Sequence, residues 1–403
     1  MKILAIETSC DETAISAMNA SGGFKKPHFE ILSNVIASQI KIHAKWGGVV
    51  PNLAKREHQA NLIPVLKKAL REANLLISNS KFPISKKVPK FKIQIPNIEI
   101  VLEREPLLKE QFLKFVQRYA PPKIDVIAVT VGPGLEPALW VGINFAKALA
   151  LLWQKPVIPI NHMEGHLLSV LLKQNRKENT KFQNPKIEFP AVALLVSGGH
   201  TELVLVKDWL KYNVIGQTLD DAAGEAFDKA AKMLGLGYPG GPVIAALAAK
   251  CQMSNVKFQI KLPRPMINSK NYNFSFSGLK TAVLYLIRDL TKQGYKLSKF
   301  QSAVAAEFQQ AIIDVLISKT IRAAKEYKAK TIILGGGVAA NQELRKQFQQ
   351  KLKKENSSFR FQASGFRFCT DNAAMIAVAG YFHAFKQHYM DWKNLRANAN
   401  LQL

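Results

Sequence analysis

Cysteine is scarce in this chain of 403 residues, where Cys10, Cys251 and Cys369 stand far apart. Three such residues make neither a disulfide framework nor a four-cysteine zinc site, and they suit a reducing cytosol. No run of eighteen apolar residues is present, so no transmembrane span and no membrane partner are expected. The opening, Met1-Lys2-Ile3-Leu4-Ala5-Ile6-Glu7, enters a strand-like pattern without a signal peptide's organisation, which points to the cytoplasm. Long low-complexity tracts are lacking too, and 48% apolar content suits a globular chain of two or three domains. Acidic residues are few, 29 against 56 basic, for a formal charge of +27. That excess favours a polyanionic partner, nucleic acid first; the bland alternative is a basic surface that only confers solubility.

What is present centres on Asn161-His162-Met163-Glu164-Gly165-His166, which follows an apolar strand (157–160) and leads into an apolar helical pattern (167–172). In a helix His162 and His166 share one face, four residues apart, and both imidazoles reach one metal ion. The zincin pattern needs Glu directly after the first His, whereas Glu164 comes two residues on and faces elsewhere. The competing reading is that two histidines cap and line a helix start. A third ligand must come from elsewhere, and Asp371 in Thr370-Asp371-Asn372 is a candidate, unless it or Thr370 simply caps the following helix. Two imidazoles and a carboxylate suit non-haem Fe(II), and Zn(II) accepts the same set.

An α/β grammar repeats along the chain. Strands at 2–8 and 13–18 flank the acidic turn Glu7-Thr8-Ser9-Cys10-Asp11-Glu12-Thr13, which addresses a phosphate or a metal if it is more than a hairpin turn. A strand at 29–38, a helix at 51–74, a strand at 125–130 and an apolar helix at 136–154 follow. Around residue 190 the opening recurs as strand, Ser197-Gly198-Gly199-His200-Thr201 turn and return strand. The repeat predicts a duplicated lobe with a nucleotide or phosphate between the copies. Residues 75–122, with Lys81, Lys86, Lys87, Lys90 and Lys92, read as a surface insertion on the first lobe. His43 and His58 read as structural histidines rather than ligands.

Further motifs lie downstream. Asp221, Glu225 and Asp228 share a helix face; Asp220 and Asp221 are explained by the helix dipole, while Asp228 suits ribose hydroxyls. Phe274 and Phe276, beside basic residues, serve either as stacking surfaces for bases or as core. Gly335-Gly336-Gly337-Val338-Ala339-Ala340-Asn341 is a strand-to-helix turn with N–H donors, but no Walker A loop, since Gly-Lys-Ser/Thr does not follow.

Taken together, the acidic turn, His162 to His166, Val196 to Thr201, Gly224-Glu225-Ala226-Phe227-Asp228-Lys229, Phe274 to Lys280 and Thr370-Asp371-Asn372 resemble the TsaD family. These are the tRNA N6-adenosine threonylcarbamoyltransferases, once taken for glycoproteases. The likeness covers residues 1 to about 75 and about 124 to 390, with the motifs in order. It implies an α/β fold of the actin/Hsp70/sugar-kinase (ASKHA) class, two RNase H-like lobes with a central cleft. The lobes would be 1–160 plus 371–403, with 75–122 inserted, and 161–370. It implies one iron, with zinc as a substitute, on His162, His166 and Asp371. Leu195, Val196, Ser197, Gly198, Gly199, Asp228, Gly241 and Asn341 match the positions that take the adenylate of threonylcarbamoyl-AMP. Asp11 and Glu12 match the acidic turn, as candidate catalytic carboxylates. The implied reaction moves the threonylcarbamoyl group to N6 of adenosine 37 in tRNAs reading codons that begin with A. A TsaB-like paralogue and a TsaE-like ATPase are the implied partners. Two departures stand out: the 75–122 segment, and Asn52 where the family pattern leads us to expect glutamate. The alternatives are a metal-dependent peptidase and an ASKHA-type phosphotransferase.

Overall fold

The computed structural model describes residues 1–78, 97–172, 187–252, 260–355 and 358–403. Lys81, Lys86, Lys87, Lys90 and Lys92, and the basic loop at 173–186, lie outside the described residues. The chain divides into two compact units: Met1–Ile42 with Val49–Leu172 and Asp371–Leu403, and His43–Gly48 with Lys173–Thr370.

The first unit is built on a five-stranded sheet. Its strands are β1 (Lys2–Glu7), β2 (Glu12–Ser21), β3 (His28–Ser38), β4 (Val126–Gly132) and β5 (Val157–Asn161). Their order is β3-β2-β1-β4-β5, antiparallel on the β2 side of β1 and parallel on the β4 side. Ile3, Leu4, Ala5 and Ile6 are all fully buried, as expected of a strand covered on both faces. Leu4 and Ile6 join a core with Leu62, Leu66 and Leu70 of the helix Pro51–Glu72 and Leu139 and Phe145 of the helix Glu136–Trp153. The helix Ala373–Phe385 lies close to the sheet at Gly380, where a Cβ would stand 2.7 Å from the Ala128 Cβ and 3.8 Å from Ile3.

The second unit repeats the plan with β6 (Ala191–Val196), β7 (Thr201–Asp208), β8 (Lys211–Gln217), β9 (Thr331–Gly335) and β10 (Arg360–Ala363). The order β8-β7-β6-β9-β10, with the same pattern of parallel and antiparallel neighbours, reproduces the first sheet strand for strand. Each unit thus has the RNase H-like order, and the duplication expected from the two turns is real. Its core includes Phe227, Phe274, Phe276 and, from the helix Leu297–Glu326, Phe300 and Phe308. From its first turns that helix faces inward, Leu297 and Phe300 packing on the core and Gln301 donating to the Leu234 carbonyl.

Three expectations are corrected. Residues 161–172 belong to the first unit, not the second, because β5 pairs with β4 and runs directly into the helix His162–Leu168. The stretch 75–122 is not all surface: Ile98, Leu102, Leu108 and Phe112 are buried in the first core, and the Phe112 ring meets Phe145 edge-on at 6.0 Å. Phe274 and Phe276 are wholly buried, which makes them core and removes them as stacking surfaces.

Lys319 holds the loop before Phe274. Wholly buried, it donates to Ser269 Oγ at 2.8 Å and to the carbonyls of Asn271 (3.2 Å) and Asn273 (2.7 Å). Burial, then the Arg322 charge, lowers its ammonium from the ordinary 10.5 to about 8. Between pH 8 and 10.5 the unfolded chain therefore binds more protons at this site than the folded one, so stability rises with pH. Relative to Lys319→Met, the unfolding free energy of the parent should grow by roughly 2 kcal/mol over that window in denaturant titrations. A difference flat with pH would contradict this account.

Candidate metal centre and glycine turns

The carboxyl ends of β1, β4 and β5 meet in the first unit, the place where parallel strands usually present ligands. Glu7 ends β1, Thr130 lies in β4, and Asn161 ends β5 and caps the helix His162–Leu168 by accepting from Met163 N at 2.8 Å. The cap fixes the helix start, so His162 and His166 do share one face, with their rings edge to face and centroids 4.7 Å apart. Asp371 comes from the far end of the chain. Its Oδ1 lies 3.1 Å from His166 Nε2 and 3.4 Å from His162 Nε2. Ligand atoms of all three fall within 4.8 Å of one another.

Asp371 is free for this position because it does not cap the next helix. Asn372 does, accepting from Met375 N at 3.1 Å.

The surroundings orient His162. Its Nδ1 faces Glu7 Oε2 at 3.1 Å, and since a carboxylate only accepts, Nδ1 carries the proton and Nε2 is left for a ligand role. Glu7 is itself fixed, taking Thr130 Oγ1 at 2.6 Å and Ser9 N at 2.5 Å. Such a carboxylate behind a ligand imidazole is the usual way proteins set its tautomer. The sequence places Glu7 at the head of the acidic turn but gives it no tie to His162.

Without an ion, the two carboxylates favour the doubly protonated His162, and an ion on Nε2 would take the place of that second proton. Burial alone would push the His162 imidazole down, but the carboxylates of Asp371 and Glu7 hold it well above the usual range. Burial opposes ionisation of Asp371, and His162 overrides it, so the carboxyl stays far below the ordinary value. Glu7 is lowered in the same way. Burial keeps His166 below the usual histidine value, hence neutral. Among the described residues neither of its ring nitrogens makes a well-aligned hydrogen bond, Nε2 having only the Asp371 carboxylate beside it, and an unsatisfied buried nitrogen costs about 1 to 3 kcal/mol. A cation bound by two imidazole nitrogens and one carboxylate oxygen would satisfy His166 Nε2. The donor set and its compactness therefore fit an ion such as Fe(II) or Zn(II).

Glu164, between the two histidines, faces the other way. Its Oε2 accepts from His383 Nε2 at 2.8 Å, and His383 Nδ1 lies 3.0 Å from His388 Nδ1. The bond ties the histidine helix to the helix Ala373–Phe385, which begins two residues after Asp371. Gly165 allows the same approach, because a Cβ there would stand 2.9 Å from Ile376 Cδ1. The pin is thus expected to hold the ligands in register. Glu164→Ala should weaken metal binding about tenfold in a chelator-competition titration, with Glu164→Gln close to the parent. Equal affinity in all three would remove the pin from the account. Nothing in the spacing announces His383, 219 residues away.

The acidic turn lies against the helix Pro51–Glu72. His58, wholly buried, donates from Nε2 to the Cys10 carbonyl at 2.9 Å and accepts from Thr13 Oγ1 at Nδ1, 2.8 Å away. His58 is therefore structural, as its isolation suggests. Asp11 and Glu12 are both buried. Burial, then Asp371 and Asp11, pushes the Glu12 carboxyl well above the usual range, so the two turn residues share one anionic neighbourhood with Asp371.

The remaining candidates are in the second unit, where they surround turns of two kinds. Leu195 and Val196 are buried in β6; Leu195 registers against Glu202 on one side and Gly335 on the other, which leaves it to position the turn. Ser197 N donates to the His200 carbonyl at 2.8 Å, and Ser197 Oγ accepts from His200 N at 3.2 Å. Gly224 and Gly240 have structural reasons to lack a side chain, since a Cβ would meet the carbonyls of Ser197 and Phe227 at 2.4 Å. Gly198, Gly199 and Gly241 have none: a Cβ there would meet nothing within 4 Å. Glycine at such positions makes sense where backbone must approach a ligand.

Asp228 Oδ1 accepts from Gly240 N at 2.6 Å, at the start of the helix Gly240–Gln252. Asn341 Oδ1 caps the helix Gln342–Lys354 at Leu344 N, and its Nδ2 donates to Gln309 Oε1 at 2.8 Å. Asp220 serves another helix than the one it precedes (Ala223–Met233), whereas Asp221 is tied to that helix through Lys229. Asp220 takes Ser275 Oγ, Phe276 N and Ser277 N, capping the helix Ser277–Lys292, while Asp221 and Glu225 pair with Lys229 at 2.6 and 2.7 Å.

A family model described as "TsaD: tRNA N6-adenosine threonylcarbamoyltransferase" matches residues 30–81 and 107–378. The match resumes at 107, so the segment outside the family pattern is shorter than 75–122. Curated relatives bearing the name tRNA N6-adenosine threonylcarbamoyltransferase include one from Persephonella marina, 42% identical over 384 residues, 94% of this chain and 90% of its own. One from Thermosipho africanus is 41% identical over 403 residues and all of both chains. One from Bacillus subtilis is 40% identical over 380 residues, 94% of this chain and 90% of its own.

Proposed function

This chain belongs to the TsaD family of tRNA N6-adenosine threonylcarbamoyltransferases, and on that premise we propose that it moves the threonylcarbamoyl group of threonylcarbamoyl-AMP to N6 of adenosine 37 in tRNAs reading codons that begin with A. The observation that carries the reading to particular residues is the convergence of His162, His166 and Asp371. These three would hold one Fe(II), or Zn(II) in its place. The ion supplies a Lewis acid for the carbonyl of the threonylcarbamoyl group.

The chain's own residues do the rest. Glu7 keeps the His162 proton on Nδ1 and so keeps Nε2 directed at the ligand position. The open backbone at Gly198, Gly199 and Gly241 offers room and N–H groups to the adenylate, with Asp228 and Asn341 nearby in sequence motifs that match the family. The N6 amine forms its bond to the carbamoyl carbon as the bond from that carbon to the phosphate oxygen breaks. AMP departs with the electron pair, and the proton of the amine passes to a carboxylate of the acidic turn, Asp11 or Glu12.

The basic composition supplies phosphate contacts for tRNA, and a TsaB-like paralogue and a TsaE-like ATPase complete the working system. No helix among the described residues is long and apolar enough to cross a membrane; the reading places the work on tRNA in the cytoplasm. A peptidase would need a water-activating acid beside the histidines, and Glu164 is turned toward His383 instead.

The test is a reconstituted reaction of metal-loaded protein and partners with threonylcarbamoyl-AMP and unmodified tRNA. One AMP per modified nucleoside is expected, with tRNA affinity falling steeply as salt rises. Peptide cleavage, or AMP release without modified nucleoside, would overturn the reading.

A further inference from the structure

A cavity of about 400 Å³, lined by none of the three metal ligands, opens on the first unit. One wall comes from residues 100–105, which the family model skips, and another from Trp140, Asn144 and Lys147 of the helix Glu136–Trp153. Trp392, near the end of the chain, completes the lining. The volume lies within the range of small-ligand sites and is large enough for one nucleotide.

Its floor is charged and imperfectly matched. Lys147 is 8% exposed, and among the described residues its ammonium makes no hydrogen bond or ion pair; it rests 5.3 Å from the Trp140 ring. Glu105, 1% exposed, uses Oε2 to accept from Asn144 Nδ2 at 3.1 Å. Burial pushes its carboxyl upward even with Lys55, Arg104 and Lys147 around it, and burial, then Arg396, pushes the Lys147 ammonium downward. Four cations line the cavity, Lys55, Arg104, Lys147 and Lys393, against Glu103 and Glu105. An ammonium that makes no hydrogen bond among the described residues, with Glu105 as its neighbouring opposite charge, in a cavity lined by two indoles and further cations, suits an anion attached to something flat.

We propose that this cavity binds a nucleotide unit, with its base on the indoles of Trp140 and Trp392 and its phosphate on Lys147 and the cations at the rim. An unpaired nucleotide of tRNA is the source that suits so basic a chain, and a free nucleotide has the same chemistry. The choice of tRNA rests on the transferase reading; the nucleotide chemistry of the cavity does not.

The experiment measures filter binding of unmodified tRNA to the full chain, over a salt series, with AMP as competitor. Trp140→Leu should weaken tRNA binding about tenfold, the loss expected for one stacked base. Lys147→Gln should weaken it to a similar degree and reduce the slope of log affinity against log salt by about one, with Lys147→Arg close to the parent. Metal content and melting temperature of the variants should equal the parent's, which separates this site from the metal centre and from misfolding.

If AMP instead quenches the parent's tryptophan fluorescence, with the quench lost in Trp140→Leu and tRNA binding unchanged, the site serves free nucleotide. Parent-like binding of both probes by Trp140→Leu and Lys147→Gln would overturn the proposal. Transfer activity separates the two readings: variants that bind tRNA normally sink this site alone, and a parent that binds tRNA here yet transfers nothing sinks the activity alone.

Discussion

His166→Ala is expected to lower metal affinity and threonylcarbamoyl transfer together, by at least about a thousandfold, while leaving the metal-free fold nearly as stable as before. The side chain is wholly buried, and among the described residues its two nitrogens make no well-aligned hydrogen bond. Its removal takes away an unsatisfied polar group as well as packing, so the two costs partly cancel. We expect a change of no more than about 2 kcal/mol in the metal-free protein. With metal present the difference widens, because a ligand at a thousand times its Kd stabilises the parent by about 4 kcal/mol and cannot do so for a variant lacking the site. Thermal melts with and without Fe(II), together with nucleoside analysis of the tRNA, give both numbers. A variant that keeps full transfer would show that the histidine pair is structural after all.

Gly336→Ala should cost about 3 kcal/mol or more of stability, although it adds a single methyl group. The residue has φ +91°, a conformation that L side chains avoid, and its Cβ would stand 2.3 Å from the Val196 carbonyl oxygen. The neighbour is backbone in the middle of the sheet and cannot step aside. Because Val196 leads into Ser197-Gly198-Gly199, the same change should weaken AMP binding. Gly337→Ala is the control: a Cβ there meets nothing within 4 Å, and its stability should stay within about 1 kcal/mol of the parent. Similar losses in both variants under urea would mean that the contact at Val196 is not the cause.

The two effects differ in how far sequence reveals them. The duplicated sheet was legible because β1 and β6 are continuous apolar runs followed by small or polar turns, a pattern fixed by local chemistry. The histidine pair was legible because helical spacing alone brings four-apart residues together. Asp371 was reached through its motif, and its freedom from capping depends on Asn372 doing that work instead.

Contacts across long separations left no such trace. Glu7 behind His162 and His383 behind Glu164 are chosen by packing, and the Asp220 cap on the helix Ser277–Lys292 joins residues 57 apart. The boundary at residue 161 was misplaced for a related reason: a histidine helix following a strand reads equally well as the start of a new lobe. Only the pairing of β5 with β4 assigns it to the first unit. Lysines and prolines in the sequence made 75–122 look like surface, because the buried Leu108, Phe112, Phe115 and Val116 occupy one narrow stripe of an otherwise polar helix.

The measurement that bears most directly on the central claim is X-ray absorption at the iron edge of protein loaded anaerobically with Fe(II). One iron per chain, with two imidazole nitrogens and carboxylate oxygen in its inner coordination and one imidazole lost in His162→Ala, is the predicted result. Sulfur ligation, or an iron environment unchanged by substituting His162, His166 or Asp371, would contradict it.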